Sequence, residues 1–373
     1  MRTTAIGMML LAAVGCSEPP YSLGVWAGPT GANVAKMAQN DINYKGGISD
    51  RRMVTRVVSQ RTVSFNELTP EILGLSLDSM AADTMVRALV MRMTDSVTEA
   101  AAQEFESLSL PYLITNPVPA SYTQTHPNAF LLVPTVEEQA EFLAQQAQAE
   151  PAPRRAALFS LREPHADSLA AAITRALSAR GIPIVFATSF SQSADRYTMQ
   201  AKANETTSHR PTIILFIGRT PSLYETYGTF LNRTPKARVI ASDLAETFHL
   251  YGNPGQRYTG VRFVRFFDPL SPDSVTTNLR DRLWGWIGRD ELNSEAAVTY
   301  EALNGLAQVM NTGALTRASL SRALRSGARM NGLLGEWQFD GQRRVNRPIY
   351  LAEIRADTVV LVASNNKGAL ARQ

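Results

Sequence analysis

Short apolar runs alternate along the chain with segments whose apolar residues recur at helical spacing. The apolar runs, each typical of a buried strand, are residues 21–26, 53–58, 86–93, 111–115, 156–160, 184–187, 212–217 and 238–241. The segments with helical spacing are residues 34–43, 80–89, 96–108, 137–147, 166–179 and 223–231. Strands that alternate with helices predict parallel sheets joined by right-handed crossover connections.

The alternation occurs in two successive units. The predicted fold class is therefore α/β, with two doubly wound lobes, and a length of 373 residues is sufficient for two domains of ordinary size. In doubly wound sheets a ligand binds at the carboxyl ends of the strands. We therefore expect the functional residues to lie in the loops that follow the strands.

The first residues have the features of a signal peptide. Arg2 precedes an apolar stretch over residues 5–14, which is shorter than the roughly 20 residues that a transmembrane helix needs. The stretch ends in small residues before Cys16 and resembles a bacterial lipobox, in which the cysteine is acylated. We predict a lipoprotein signal peptide over 1–15, a tether over 16–20 and an extracytoplasmic protein anchored to a membrane through lipid on Cys16. The alternative is an ordinary secretory signal with an incidental cysteine.

Composition narrows the functional classes. The net charge of +4 is small and the basic residues are scattered, so a nucleic-acid partner is not expected. Cys16 is the only cysteine, which excludes an internal disulfide. The chain lacks GxSxG, Walker and HExxH motifs, and its four histidines are widely separated. We therefore expect no enzyme, metal or cofactor, although a Ser/His/Asp set assembled in space stays open.

Eight segments occur in an order that is typical of one protein family. They are GVWAGPTG at 24–31, DIN at 41–43 with GGI at 46–48, TDSVT at 94–98, LPYLIT at 110–115, residues 169–181, VIASD at 239–243, YEA at 300–302 and residues 332–341. Together they resemble the type I periplasmic solute-binding proteins of the branched-chain amino acid group, which are the extracellular capture subunits of ABC importers.

This resemblance implies two lobes joined by three crossover strands, so that each lobe is discontinuous in sequence. The first lobe would comprise residues 21–134 plus 262–328, and the second lobe residues 135–261 plus 329–373. A small-molecule ligand would bind in the cleft between the lobes, and an ABC permease would be the protein partner.

The resemblance also implies where the ligand contacts lie. In the family, hydroxylated residues of the first-lobe loops hold an amino-acid carboxylate, and an acidic residue of the second lobe takes the ammonium group. The corresponding positions are Thr94, Asp95, Ser96, Thr115 and Asn116 in the first lobe, and His165, Arg219 and Asp243 in the second. Asp243 falls at the acidic position, although it is also a good N-cap residue for a helix over 244–250.

Several of these positions depart from the family pattern. Asp95 stands where a serine is usual and would repel a ligand carboxylate. Met91 and Arg92 replace a Gly-Pro pair. His165 stands about where the second lobe usually has a tyrosine, and taken alone it is typical of an exposed polar side chain. Arg219 either faces the cleft and binds an anion, or lies in solvent or pairs with a nearby acid.

Two functions fit these observations. The first is capture of a small polar solute, such as an amino acid or an amide-like molecule, for an ABC importer. The full-length resemblance and Asp243 favour it. The second is a surface regulator or scaffold that reuses the same fold, similar to lipoprotein activators of penicillin-binding proteins. The changed first-lobe loops favour this alternative.

Trp284 and Trp286 alternate with apolar neighbours. This pattern fits either an exposed binding stripe or packing between elements of the fold, and large aromatic side chains are more often packed. We therefore expect both tryptophans to be buried.

Overall fold

The computed structural model describes residues 18–59, 70–93, 96–191, 193–250, 258–287, 292–333, 335–355 and 358–365. The predicted signal peptide, Cys16, Thr94 and Asp95 lie outside the described residues. Within them the chain forms two main sheets and a small two-stranded hairpin. No helix in the described part of the chain is long and apolar enough to cross a membrane.

Five parallel strands form the smaller main sheet, in the first lobe. They are β1 (Tyr21–Ala27), β2 (Met53–Ser59), β3 (Val86–Met91), β4 (Tyr112–Ile114) and β5 (Ala129–Leu131). Their order across the sheet is β2-β1-β3-β4-β5, and every neighbouring pair is parallel. Every residue of β1 and β4 is buried, as expected of strands that are covered on both faces.

Seven of the remaining strands form the larger sheet, in the second lobe. The strands after β5 are β6 (Ala156–Leu161), β7 (Ile184–Phe190), β8 (Ile213–Ile217), β9 (Arg238–Ala241), β10 (Arg262–Arg265), β11 (Met330–Gly332), β12 (Gly335–Trp337), β13 (Tyr350–Arg355) and β14 (Thr358–Ser364). The order in the larger sheet is β14-β13-β10-β9-β8-β6-β7. Strands β6 to β10 are parallel, and β13 and β14 close one edge in antiparallel pairing.

Helices separate most of the strands. They are α1 (Pro29–Tyr44), α2 (Pro70–Ala82), α3 (Ser96–Ser107), α4 (Tyr122–Thr125), α5 (Val136–Ala149), α6 (Pro164–Ala179), α7 (Arg196–Ser208), α8 (Thr220–Arg233), α9 (Ser274–Ile287), α10 (Ser294–Asn311) and α11 (Arg317–Arg325), with a 3₁₀ helix over Asp243–Leu250. Local sequence explains where several begin. α5 starts with a capping box between Thr135 and Glu138, and α1, α6 and α8 have proline in the first turn.

The chain passes between the two lobes three times. It runs from β5 to α5, from β10 to α9 and α10, and from the β11–β12 hairpin to β13. α10 packs against α1, and an ion pair between Arg282 and Asp41 joins α9 to α1. The predicted α/β fold with two parallel-sheet lobes is therefore confirmed. β10 hydrogen-bonds within the larger sheet, so the second lobe extends past the boundary predicted at residue 262.

The helix predicted over 80–89 is wrong after residue 82. α2 ends at Ala82, and Val86–Met91 is strand β3. A short apolar run fits a buried strand and a buried helix equally well. Pairing decides between them here, because β3 hydrogen-bonds to β1 on one side and to β4 on the other.

Candidate functional site

The loops at the carboxyl ends of strands in the two lobes meet at one cleft. The Nδ1 atom of His165 in the second lobe lies 3.0 Å from the carbonyl oxygen of Pro117 in the first. Arg92 directly follows β3. Its guanidinium group interacts electrostatically with the carboxylates of Asp243 and Glu163, which follow strands of the larger sheet. We call the side chains at this cleft the cleft cluster: Arg92, Gln139, Glu163, His165, Arg219, Ser242, Asp243 and Glu295.

The first lobe contributes an ion pair to the cleft. Arg92 Nη1 donates a hydrogen bond to Glu295 Oε2 at 2.9 Å, and the Gly28 amide donates to Glu295 Oε1 at 2.6 Å. Gly28 is the N-cap residue of α1, so the Glu295 carboxylate lies where the helix dipole favours negative charge. A Cβ atom at Gly28 would lie only 3.2 Å from Glu295 Oε2, and the absence of a side chain permits this close approach.

The second lobe contributes an ion pair of its own. Arg219 Nη2 donates to Glu163 Oε2 at 3.2 Å. Each of the two residues is the N-cap residue of a helix, Glu163 of α6 and Arg219 of α8. The structure thus pairs Arg219 with a nearby acid, which is one of the two predicted alternatives. A direct contact between Arg219 and an anionic ligand stays a prediction.

His165 bridges the two lobes. Because the Pro117 carbonyl oxygen can only accept a hydrogen bond, the Nδ1 atom of His165 must carry the hydrogen. The Nε2 atom then faces Asp243 Oδ1 at 3.5 Å. A carboxylate has no hydrogen to donate, so this contact is attractive when the imidazole is protonated on both nitrogens. Gln139 Nε2 donates to the same Oδ1 atom at 2.9 Å.

Electrostatic interactions in the cleft favour the charged forms of Asp243 in the second lobe and of Arg92 in the first lobe. Burial by itself raises the pKa of Asp243, but His165, Gln139 and Arg92 outweigh burial and hold that pKa below its ordinary value. Burial by itself lowers the pKa of Arg92, but Glu295, Asp243 and Glu163 outweigh it and raise that pKa. Asp243 and Arg92 therefore form a fixed negative and a fixed positive charge on opposite walls.

Some buried polar atoms of the cleft cluster have no hydrogen-bond partner among the described residues. They are Arg92 Nε, Gln139 Oε1, Glu163 Oε1, His165 Nε2, Arg219 Nε and Ser242 Oγ. A buried polar atom without a partner costs about 1–3 kcal/mol, so such atoms are usually satisfied by water or by a ligand. Both donors and acceptors are present, which fits a ligand that itself carries both.

The other predicted first-lobe residues have different neighbours. Asn116 Oδ1 accepts from the Met93 amide at 2.7 Å, and its Nδ2 donates to the Met93 carbonyl. Thr115 Oγ1 donates to the Met91 carbonyl at 3.3 Å. These two side chains therefore hold the loop that carries Arg92. Ser96 begins α3, and ligand contacts by Thr115, Asn116 and Ser96 stay predictions.

Two expectations about exposure are wrong. His165 is buried, with 5% of its surface exposed, because the Pro117 carbonyl and Asp243 enclose its ring between the lobes. Trp284 and Trp286 are 58% and 51% exposed, because the intervening side of α9 packs through Leu283 and leaves both rings outside.

Five members of the cleft cluster were not among the predicted ligand contacts: Arg92, Gln139, Glu163, Ser242 and Glu295. One feature of the sequence drew attention to Arg92, because Met91 and Arg92 stand where a Gly-Pro pair is usual. Glu163 also had such a feature, since it closely follows the predicted strand over 156–160. Glu295 lies 203 residues from Arg92, and only the fold brings the two together.

Comparison with known proteins agrees with this architecture. The model of a family described as periplasmic binding protein matches residues 20–358. No curated protein sequence matches the chain. Many solved structures match its fold.

Three solved structures illustrate the likeness. The leucine binding protein LivK from Thermotoga maritima has a TM-score of 0.79 at 15% identity, over 94% of this chain and 99% of that one. An ABC transporter substrate-binding protein from Desulfitobacterium hafniense in complex with Leu has 0.74 at 18%, over 92% and 100%. A solute binding protein from R. palustris in complex with benzoate has 0.76 at 12%, over 93% and 96%.

Proposed function

Because the chain belongs to the periplasmic binding protein family, we propose that it captures a small polar solute in the cleft between its lobes and presents it to an ABC importer. The solute class is an amino acid or an amide-like molecule. The observation that carries the proposal is the set of buried, unpaired donors and acceptors of the cleft cluster, contributed by both lobes. The family match and the full-length likeness to solute-binding proteins support it.

The two walls of the cleft suit the two ends of a zwitterion. Arg92 has an unpaired Nε–H that can donate to a ligand carboxylate. Asp243 keeps a carboxylate whose lowered pKa holds it ionised at neutral pH, and this charge can pair with a ligand ammonium group. His165 and Gln139 already orient Asp243, so the ligand meets a preorganised acceptor.

We propose further that lipid on Cys16 keeps the protein on the outer side of a bacterial membrane. The small residues before Cys16 support this location. An anchored receptor remains close to its permease without a transmembrane segment of its own. Two acyl chains or more give stable anchoring, whereas one chain alone binds a membrane only marginally.

The alternative function is a surface regulator or scaffold that keeps the fold and has no transported solute. One observation favours it, namely that the two guanidinium groups of the cleft already have partners in their own lobes. Arg92 binds Glu295, and Arg219 binds Glu163. A cleft in which such pairs suffice would close without any ligand.

A thermal-shift screen of the purified protein separates the two functions. The panel contains amino acids, amides, short peptides and polyamines. A ligand at 100 times its Kd stabilises the folded state by about 2.7 kcal/mol and raises the Tm. We expect at least one such ligand, and we expect Asp243→Asn to abolish its effect.

The matched control is Asp281→Asn, which removes an exposed aspartate of α9. It should leave the shift unchanged. A panel without any hit would contradict solute capture and favour the regulator. A hit that survives Asp243→Asn at full strength would remove Asp243 from the site.

A further inference from the structure

Carboxylates outnumber guanidinium groups in the cleft cluster. The carboxylates of Glu163, Asp243 and Glu295 have side chains that are only 10%, 7% and 14% exposed. The two guanidinium groups, Arg92 and Arg219, are 27% and 36% exposed and so lie closer to solvent. Among the described residues, the cleft cluster therefore has one carboxylate more than it has guanidinium groups.

The pairing within the cluster shows where this excess lies. Glu295 is satisfied by Arg92 and by the Gly28 amide. Glu163 binds Arg219 through Oε2 alone, and its buried Oε1 atom has no hydrogen-bond partner in the described part of the chain. Asp243 Oδ1 accepts a hydrogen bond from Gln139, which is neutral, and lies 3.5 Å from the Nε2 atom of His165. Two second-lobe carboxylates can thus still accept a cationic group.

A zwitterionic solute does not correct the excess, because its own charges cancel. A neutral amino acid would place its ammonium group at Asp243 and its carboxylate at Arg92, and the Glu163 Oε1 atom would stay buried without a partner. A buried carboxylate oxygen without a donor costs more than a neutral polar atom does. A solute with a second cationic group removes both the charge excess and the unpaired atom.

We infer that the solute carries one positive charge in excess, as a basic amino acid does, and that Glu163 is the residue that selects the second cationic group. This inference rests on the proposed capture function and specifies its substrate class. The first ammonium group pairs with Asp243, the carboxylate with Arg92, and the second ammonium or guanidinium group with Glu163 Oε1.

Lysine and norleucine test the inference directly, because they share one carbon skeleton and differ by the terminal ammonium group. Isothermal titration calorimetry should show lysine binding at least about tenfold more tightly than norleucine, which corresponds to roughly 1.4 kcal/mol. Cadaverine, which lacks the carboxylate, should bind more weakly than lysine because Arg92 then has no anion to bind. Glutamate should not bind.

The variant Glu163→Gln separates selection from support of the fold. If Glu163 selects the second cation, the variant lowers lysine affinity to that of norleucine and leaves norleucine affinity almost unchanged. A purely structural role, such as holding Arg219, would lower both affinities together. Glu141→Gln is the matched control, since Glu141 is an exposed glutamate that pairs with Arg180 on the helix surface, and it should preserve the lysine preference.

The outcomes distinguish this inference from the function on which it rests. Equal affinities for lysine and norleucine, or a preference for norleucine, overturn the inference and leave solute capture intact. Equal losses of both affinities in Glu163→Gln overturn the role of Glu163. Absence of binding across the entire panel overturns solute capture and the inference together.

Discussion

Two buried ion clusters of this protein differ in how completely they are satisfied. One is the cleft cluster. The other, which we call the hinge cluster, consists of Arg265 at the end of β10, Glu246 in the 3₁₀ helix and Ser294 at the start of α10. Arg265 Nε donates to Glu246 Oε1 at 2.8 Å, and the Ser294 amide and hydroxyl donate to the same oxygen at 2.9 and 3.0 Å. The Phe266 amide donates to Ser294 Oγ at 2.8 Å.

The hinge cluster balances one guanidinium group against one carboxylate, and in the described part of the chain none of its side-chain atoms is both buried and without a hydrogen-bond partner. The cleft cluster has surplus carboxylate and several buried atoms without partners. A network that supports the fold is satisfied by the chain itself. A network that binds a solute must leave part of its hydrogen-bonding capacity to the solute.

A third buried pair shows that unpaired atoms alone do not define a ligand site. Arg347 Nη1 binds Glu301 Oε2 at 2.6 Å, and both side chains are almost fully buried. Arg347 Nε and Nη2 and Glu301 Oε1 have no hydrogen-bond partner in the described regions. This pair is balanced in charge, however, and such atoms are typical positions for buried water. The carboxylate excess is what distinguishes the cleft cluster.

The largest effect that tests this comparison is a loss in the free energy of unfolding when the hinge cluster is disrupted. Glu246→Ala leaves Arg265 as a buried charge without its partner, and we expect a loss of about 3–5 kcal/mol in the free energy of unfolding. Urea denaturation followed by circular dichroism measures this loss. Asp243→Asn should cost at most about 1 kcal/mol in the same assay, since the cleft cluster contributes to binding more than to folding. Equal losses in the two variants would refute the distinction between the clusters.

The smallest effect concerns how stability changes with pH in the two clusters. The lowered pKa of Asp243 stabilises the folded state above the ordinary carboxyl pKa of about 3.9, and this contribution is lost as the pH falls through the lowered value. Burial raises the pKa of Glu246 despite Arg265 and Ser294, so its contribution is complete below about pH 4.3 and declines as the pH rises.

Because the pKa shifts of Asp243 and Glu246 have opposite signs, the stability lost on replacing each residue by its amide should change with pH in opposite directions. The stability lost in Asp243→Asn should grow as the pH rises from about 3 to 6, and the stability lost in Glu246→Gln should shrink over about pH 4 to 7. Urea denaturation at four or five pH values measures both slopes. Slopes of the same sign would show that the two carboxylates have similar environments.

Much of the second lobe follows from its hydrophobic pattern. The strand predicted over 238–241 coincides with β9, and the strands predicted over 156–160 and 212–217 agree closely with β6 and β8. These strands are buried on both faces, so their apolar runs are continuous. The pattern does not predict α7, because most of that helix is polar and exposed and has little periodic signal.

The site was only partly predictable. The resemblance to a family placed Asp243, His165 and Arg219 near a cleft, and all three belong to the cleft cluster. It did not include Glu295 or Gln139, whose partners lie 203 and 104 residues away in the chain. A sequence pattern reports periodicity within an element, and it contains no information about which distant charge will face that element.

The sequence by itself determined the alternation of strands and helices, the α/β class and the positions of the loops that follow the strands. These properties depend on local periodicity and on turn residues, which are read directly from neighbouring positions. Only the tertiary structure decided that His165 is buried, that Trp284 and Trp286 are exposed, and that Arg92 binds Glu295. Burial and charge pairing depend on which surfaces meet when three crossings bring two lobes together, and this meeting is a property of the whole chain.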